Sequence, residues 1–331
     1  MANKKCNKQD YLCLSAMLRA REAKMLTGEK AERMLSAQSF EEAAKLLCDC
    51  GYEDMSTMSA KEIEQALSRR QAEMLSELGR LVPDKTVVDV FRVTYDYHNA
   101  KTVIKTGDTR TDLLSPCGRV KPQTVVECIS ADSFSALPKE LAKAAASAKS
   151  ILARTANPQL ADFELDRACY KEMLDMAKET GSGFIIGYVK LVIDSINLRS
   201  AVRTVRMRKD ADFLFAALIP GGNVDIDRVC AASTSEEALS ALYANTILEK
   251  AAACGAQATA GGRMTDFEKA CDNALTEYLK KAKLVAFGEE AVTAFIAAQE
   301  TEITAVRMIL TGRLAGIAPE TIQERLRDLY A

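Results

Sequence analysis

Only one histidine, His98, occurs in the 331 residues, and that scarcity removes whole classes of chemistry. No site needing two imidazoles can be built, the HExxH zinc sites among them, and at most one histidine base is available. Long apolar runs are missing too. The most hydrophobic windows, 183–193 and 213–219, are interrupted or far short of the roughly 20 residues that a spanning helix needs, so the chain is expected not to cross a membrane. Neither a GxxxxGKS/T nor a GxGxxG loop is present, which leaves nucleotide binding without support. An excess of charge of either sign is also lacking: 44 Lys and Arg against 46 Asp and Glu give a net charge of −2, so no broad basic field draws nucleic acid. No CxxC pair occurs among the ten scattered cysteines, and Met1-Ala-Asn-Lys-Lys is not followed by a secretory apolar core. Reduced thiols, mostly buried and inert, are the expectation.

Apolar residues make up 48% of the chain and charged residues 27%, an ordinary balance for a folded globular protein. Its length exceeds the roughly 250–300 residues at which a single core stops growing. Most of the sequence is patterned at helical period, and none of its seven prolines falls inside a long periodic segment, so the fold is predicted to be all-α. Ser39-Phe-Glu-Glu42, Ser59-Ala-Lys-Glu62 and Thr265-Asp-Phe-Glu268 have the capping-box pattern and predict helix starts near 40, 60 and 266. Pro138 should open an alanine-rich helix to about Thr155, and Pro319 a last helix to Tyr330. A further long helix is predicted over 184–207. Turns are expected at Pro83-Asp84, Ser115-Pro-Cys-Gly118 and Pro220-Gly-Gly222, and a flexible connection at 251–262.

Self-similarity at long spacing carries more information than these local signals. Three helical stretches have an acid and, five positions on, a base: Asp96 with Lys101, Asp194 with Arg199, and Glu302 with Arg307, the acids being 98 and 108 residues apart. Upstream, Glu64, Glu164 and Glu268 repeat at 100 and 104 residues. Ser39, Ser133 and Ser235, expected to open shorter helices, repeat at 94 and 102. Three markers recurring in one order imply three copies of a helical module, predicted as residues 1–110, 111–210 and 211–317, with part of 318–331 packing on the first.

Within this pattern Asp96 with Asn99, and Asp194 with Asn197, put a carboxylate beside an amide on one helix face, while the base lies about 140° round and should reach another helix or solvent. A structural polar joint is favoured over a catalytic carboxylate, because an enzyme seldom keeps three equivalent sites in one chain. His98 has no serine or cysteine motif around it and is expected to be a satisfied or partly exposed side chain. Arg199, Arg203 and Arg206, followed by Arg208 and Lys209, form the densest cationic patch; it either complements a helix end or docks an acidic protein surface, with Arg203 and Arg206 the candidate contacts.

The ordered set Tyr11-x-x-x-Ser15-Ala-Met-Leu-Arg19-Ala-Arg-Glu22, Leu26-Thr27, Asp96-Tyr-His-Asn99-Ala-Lys101, Asp194-Ser-Ile-Asn197-Leu-Arg199, Glu302-Ile-Thr-Ala-Val-Arg307 and Pro319-Glu-Thr-Ile322 resembles the C subunit of the bacterial and archaeal V/A-type rotary ATPases, called the d subunit in the vacuolar enzyme. The likeness spans essentially the whole chain; Ala305 departs from it where the family pattern has Asn. The resemblance implies a funnel of three helical domains about a pseudo-threefold axis, peripheral on the cytoplasmic side of the membrane, without catalysis or cofactor. Such a connector receives the D and F subunits of the central stalk, sits on the membrane rotor ring and transmits torque for ion translocation coupled to ATP. The competing expectations are a helical-repeat adaptor for other proteins and an all-α enzyme using Asp96, Asp194 or a cysteine.

Overall fold

The computed structural model describes residues 6–107, 109–233 and 235–331; the Met1-Ala-Asn-Lys-Lys opening lies outside the described residues. Among these residues the protein is helical, with no strand. Two compact units are resolved, one made of the stretches up to Asp84 and from Arg263 onward, the other of Lys85–Gly262.

The first unit begins with α1 (Leu12–Glu22), α2 (Gly28–Ser36), α3 (Phe40–Lys45) and α4 (Ala60–Leu81). The second comprises α5 (Thr86–Thr106), α6 (Pro122–Ser130), α7 (Lys139–Thr155), α8 (Pro158–Thr180), α9 (Gly183–Arg206), α10 (Ala211–Ala217), α11 (Ile226–Ala232), α12 (Glu236–Leu242) and α13 (Glu249–Thr259). The chain then returns to the first unit with α14 (Met264–Lys280), α15 (Glu289–Leu314) and α16 (Pro319–Arg325).

In the first unit α15 is the central rod. Apolar around most of its circumference, it is buried on most sides, as a helix of that pattern must be; α1, α2, α3, α4, α14 and α16 all pack on it. Its Ile303, Val306, Ile309 and Leu310 join Leu26, Met34, Leu47, Met55, Ile63 and Leu67 in one core, so residues from both ends of the sequence share the same apolar interior. In the second unit α8 lies against both α5 and α7, and α9 packs on α8, α10, α11 and α13. The alanine-rich α7 buries Leu141, Ala144, Ala145 and Ala148, small side chains that let α8 approach closely.

Several predicted helix ends hold. Ser59 and Glu62 form a reciprocal capping box at α4, and the Ser39 hydroxyl accepts from the Glu42 amide at α3. Pro138 caps α7, which ends at Thr155, and α9 matches its expected span within a residue.

Four expectations need correction. Thr265 does not cap α14: the Gly261-Gly262 turn, closed by the Gly262 amide on the Gln257 carbonyl, leaves Arg263 extended as the cap and places Thr265 inside the first turn. The supposed connection at 251–262 is mostly α13, whose Ala251, Ala252, Gly255 and Ala258 are buried; small residues there serve packing rather than flexibility. Ser133 opens no helix, because its amide donates to the Cys128 carbonyl to finish α6, and the next helix waits for Pro138. The last helix stops at Arg325 rather than Tyr330, since the segment after it is extended and pinned by its buried Leu326 and Tyr330 side chains.

Candidate functional site

Each of the three acids marked by the sequence pattern sits buried on a long helix, and each holds the backbone of another segment. On α5, Asp96 is wholly buried; its Oδ1 accepts from the Val120 amide at 3.0 Å and its Oδ2 from Arg119 Nε at 2.7 Å. One turn on, Asn99 Nδ2 donates to the Ser115 carbonyl at 2.9 Å while its Oδ1 accepts from the Ser115 amide at 2.8 Å. The segment Ser115-Pro-Cys-Gly-Arg-Val120 is therefore held at both ends.

On α9 the arrangement recurs. Asp194 Oδ1 accepts from the Val224 amide at 3.0 Å, and Oδ2 from the amide and side chain of Asn223 at 3.0 and 2.8 Å. Asn197 exchanges two hydrogen bonds of 2.8 Å with the backbone of Ile219. The gripped segment is Ile219-Pro-Gly-Gly-Asn-Val224. In both segments the glycine facing the acid is obligatory: a Cβ on Gly118 would lie 2.3 Å from Asp96 Oδ1, and one on Gly222 2.1 Å from Asp194 Oδ1.

The third acid uses different donors. Glu302 on α15 accepts from the Leu26 amide at 2.7 Å and from the Tyr52 hydroxyl at 2.7 Å, and Gln299 reaches it weakly at 3.4 Å. Ala305 stands where the other helices carry Asn, so the second clamp is missing. All three acids nevertheless secure a backbone amide two residues before a short helix: Val120 before α6, Val224 before α11 and Leu26 before α2.

Burial raises the pKa of Asp96, Asp194 and Glu302, with the hydrogen bonds just described pulling the other way. Burial and the neighbouring carboxylate likewise push the Tyr52 hydroxyl upward, so it stays a donor. Both oxygens of each carboxylate are occupied by protein donors. What the arrangement can do is fix loops, each charge-assisted bond being worth about 1.5–3 kcal/mol.

Two basic members of the pattern reach other helices, as their angular offset allows. Lys101 pairs with Asp166 on α8, and Arg307 grips Glu64 on α4 through Nε at 2.6 Å and a second nitrogen at 3.1 Å. Arg199 is half-buried on α9. Arg206 donates to the Ala258 and Gly262 carbonyls at 3.0 and 2.8 Å, holding the end of α13, while Arg203 is exposed on the last turn of α9. His98 is exposed, with Nε2 3.1 Å from the Leu113 carbonyl. The cysteines form no disulfide among the described residues; Cys50, Cys117, Cys128, Cys169 and Cys271 are buried, but Cys6, Cys13 and Cys48 are exposed, so the expectation of burial holds for only part of the set.

Sequence reasoning missed the gripped loops. Ser115–Gly118 and Pro220–Gly222 pass for bare turns, yet each belongs to a Pro-x-Gly-x-Val stretch, and the two stretches are 104 residues apart. That shared pitch is the signal that could have found them. Arg119, Glu172 and Tyr97 form an added network, with Arg119 2.9 Å from Glu172 and the Tyr97 hydroxyl donating to Glu172 at 2.9 Å; nothing in the local sequence marks it.

No helix among the described residues is long and apolar enough to cross a membrane. The chain is similar over nearly its full length to C subunits of V-type ATPases and A-type ATP synthases. It is 21% identical to the C subunit of the V-type sodium ATPase of Enterococcus hirae, covering 97% of this chain and 99% of that protein. It is 22% identical to the C subunit of the A-type ATP synthase of Desulfurococcus sp. over 95% and 90% of the two chains, and 24% identical to that of Methanocaldococcus jannaschii over 96% and 86%. The profile of the ATP synthase (C/AC39) subunits matches residues 14–325, and the protein belongs to that family of V/A-type ATPase subunits.

Proposed function

We propose that this protein is the non-catalytic connector between the central stalk and the membrane rotor ring, and that it transmits torque between them from the cytoplasmic side. The full-length match to the C subunits carries the reading. The state of the three buried acids supports it: their carboxylates are taken up by backbone amides and fixed side chains and reinforce loops. A torque-bearing part needs stiff elements tied to one another, and α15, 26 residues long, is a rod of roughly 39 Å.

In the same reading a module of short and long helices occurs three times, over about 1–110, 111–210 and 211–317. Asp96, Asp194 and Glu302 with their partners are its recurring joints. The D and F subunits of the stalk and the rotor ring are the partners. The cationic end of α9, with Arg203 and Arg206 exposed beside Arg208 and Lys209, docks an acidic partner surface; Arg206 also holds the end of α13.

The test is reconstitution of the ATPase with and without this chain. Omission should abolish ATP-driven rotation of the ring while leaving hydrolysis by the isolated catalytic head intact. Rotation that persists without the chain would overturn the connector role. Arg203→Glu should weaken capture of stalk or ring components at low salt, and the defect should shrink as salt screens both surfaces.

A further inference from the structure

A cleft of about 510 Å³ opens in the first unit between the end of α1, the turn at Gly51 and one face of α4, a size usual for small-molecule sites. Four cations line it, Arg21, Lys24, Arg70 and Arg80, against two carboxylates, Glu73 and Glu77. Arg21 and Glu77 neutralise each other in a two-bond pair of 2.7 and 2.8 Å. Arg80 also acts on Glu77, and Arg70 on the buried Glu302 behind it, yet the lining of the cleft itself keeps four cations against two carboxylates. Neither Lys24 nor Arg80, both exposed, takes part in an ion pair among the described residues.

Arg70 is already arranged for a ligand. Its guanidinium lies over the Tyr52 ring, 3.8 Å from the centroid, and one terminal nitrogen donates to the Gly51 carbonyl at 2.6 Å. Its Nε is buried and has no acceptor. Nε is closed off from the cleft, so a ligand there would meet the remaining terminal N–H groups of the guanidinium. Because ring and carbonyl hold the side chain, little rotamer freedom remains to be lost on binding.

The spacing of charge defines the ligand. Arg70 and Arg80 are ten residues apart on one helix, about 15 Å of rise, and Glu73 stands between them on the same face. A single small anion cannot reach both cations, and one placed centrally would meet Glu73. A molecule with two or more separated phosphoryl groups avoids that repulsion. We infer that this cleft binds a multiply charged phosphate-bearing small molecule, one phosphoryl group seated between Lys24 and Arg70 and another directed toward Arg80. The same chemistry is offered by a soluble oligophosphate and by a phosphorylated lipid headgroup.

Calorimetric titration of the full-length chain with tripolyphosphate, with sulfate at matched ionic strength as control, tests the soluble source. Flotation with phosphatidylcholine vesicles, with and without phosphatidylinositol 4-phosphate, tests the headgroup. Saturable binding of either probe, weakened about tenfold or more by Lys24→Glu and by Arg70→Lys, is the expected result. Which probe binds identifies the source. Lys24 is exposed, so Lys24→Glu should leave the unfolding midpoint of the free protein unchanged, separating lost binding from lost fold. Absence of saturable binding to both probes, an equal response to sulfate, or affinity that Lys24→Glu leaves intact would overturn the site.

Discussion

Asp194 and Glu302 occupy comparable places on long helices but face different donors, and the difference decides what an amide would do in each. Every donor to Asp194 is an N–H that cannot accept in return. Asp194→Asn therefore turns an amino group toward donors and leaves buried groups unpaired, a loss of about 2–3 kcal/mol read as a lowered unfolding midpoint. Glu302 faces one amide and one hydroxyl. In Glu302→Gln the carbonyl oxygen can keep the Leu26 amide while the amino group donates to Tyr52, which accepts as well as donates, so a cost under about 1 kcal/mol is expected. The same pair of proteins tests the pH response. Burial raises the Glu302 pKa above its ordinary 4.5, so the native state holds its proton more readily than the unfolded chain. Its contribution is then complete below the unfolded pKa and is lost as pH rises through the folded value. The substituted amide does not titrate, so the stability advantage of the natural protein over Glu302→Gln should be widest near about pH 4 and narrow toward about pH 8. Unfolding midpoints of both proteins across that range check the sign, and a gap that widens with pH would contradict it.

Helix ends separate what local sequence determines from what it does not. Ser59 caps α4 with a complete reciprocal box, whereas Thr265 has the same spacing to Glu268 and caps nothing because the preceding glycine turn starts α14 earlier. Ser59→Ala should cost about 1 kcal/mol and Thr265→Ala less than about 0.5 kcal/mol, measurable as unequal shifts in the denaturant midpoint. Equal effects would mean that the capping assignment at α14 is wrong. The all-helical class, the span of α7 and the span of α9 to within a residue were legible because propensity, periodicity and proline placement agree there. The ends at Ser133 and Arg325 were not, because each is set by a tertiary commitment, a closing hydrogen bond in one case and buried side chains in the other. The acids and amides of the joints were visible as a recurring pattern. Their partners were less so: Asn223 and Val224 lie some 30 residues from Asp194, and Leu26 lies 276 from Glu302.

At the scale of the molecule, the first unit combines the two ends of the sequence, a property no window of sequence can display. Leu26 and Tyr52 are tied to Glu302, Glu64 to Arg307, and Arg19 to the carbonyl of Ala282 at 2.5 Å. The extreme C-terminal segment is fastened into the same unit: Tyr330 is 2% exposed with Lys283 over its ring, and Arg327 pairs with Asp272 at 2.8 Å. These contacts make the two stretches one cooperative body, since neither covers its apolar face without the other. Tyr330→Ala removes a buried aromatic side chain and should cost about 3–5 kcal/mol. If the body is cooperative, the loss will not stay at the C-terminus. Hydrogen exchange should accelerate together in α1, α4 and α15, although α4 lies some 250 residues earlier in sequence than the substitution. Acceleration confined to residues after Pro319 would instead show that the tail frays alone, and that the N-terminal helices hold their core without it.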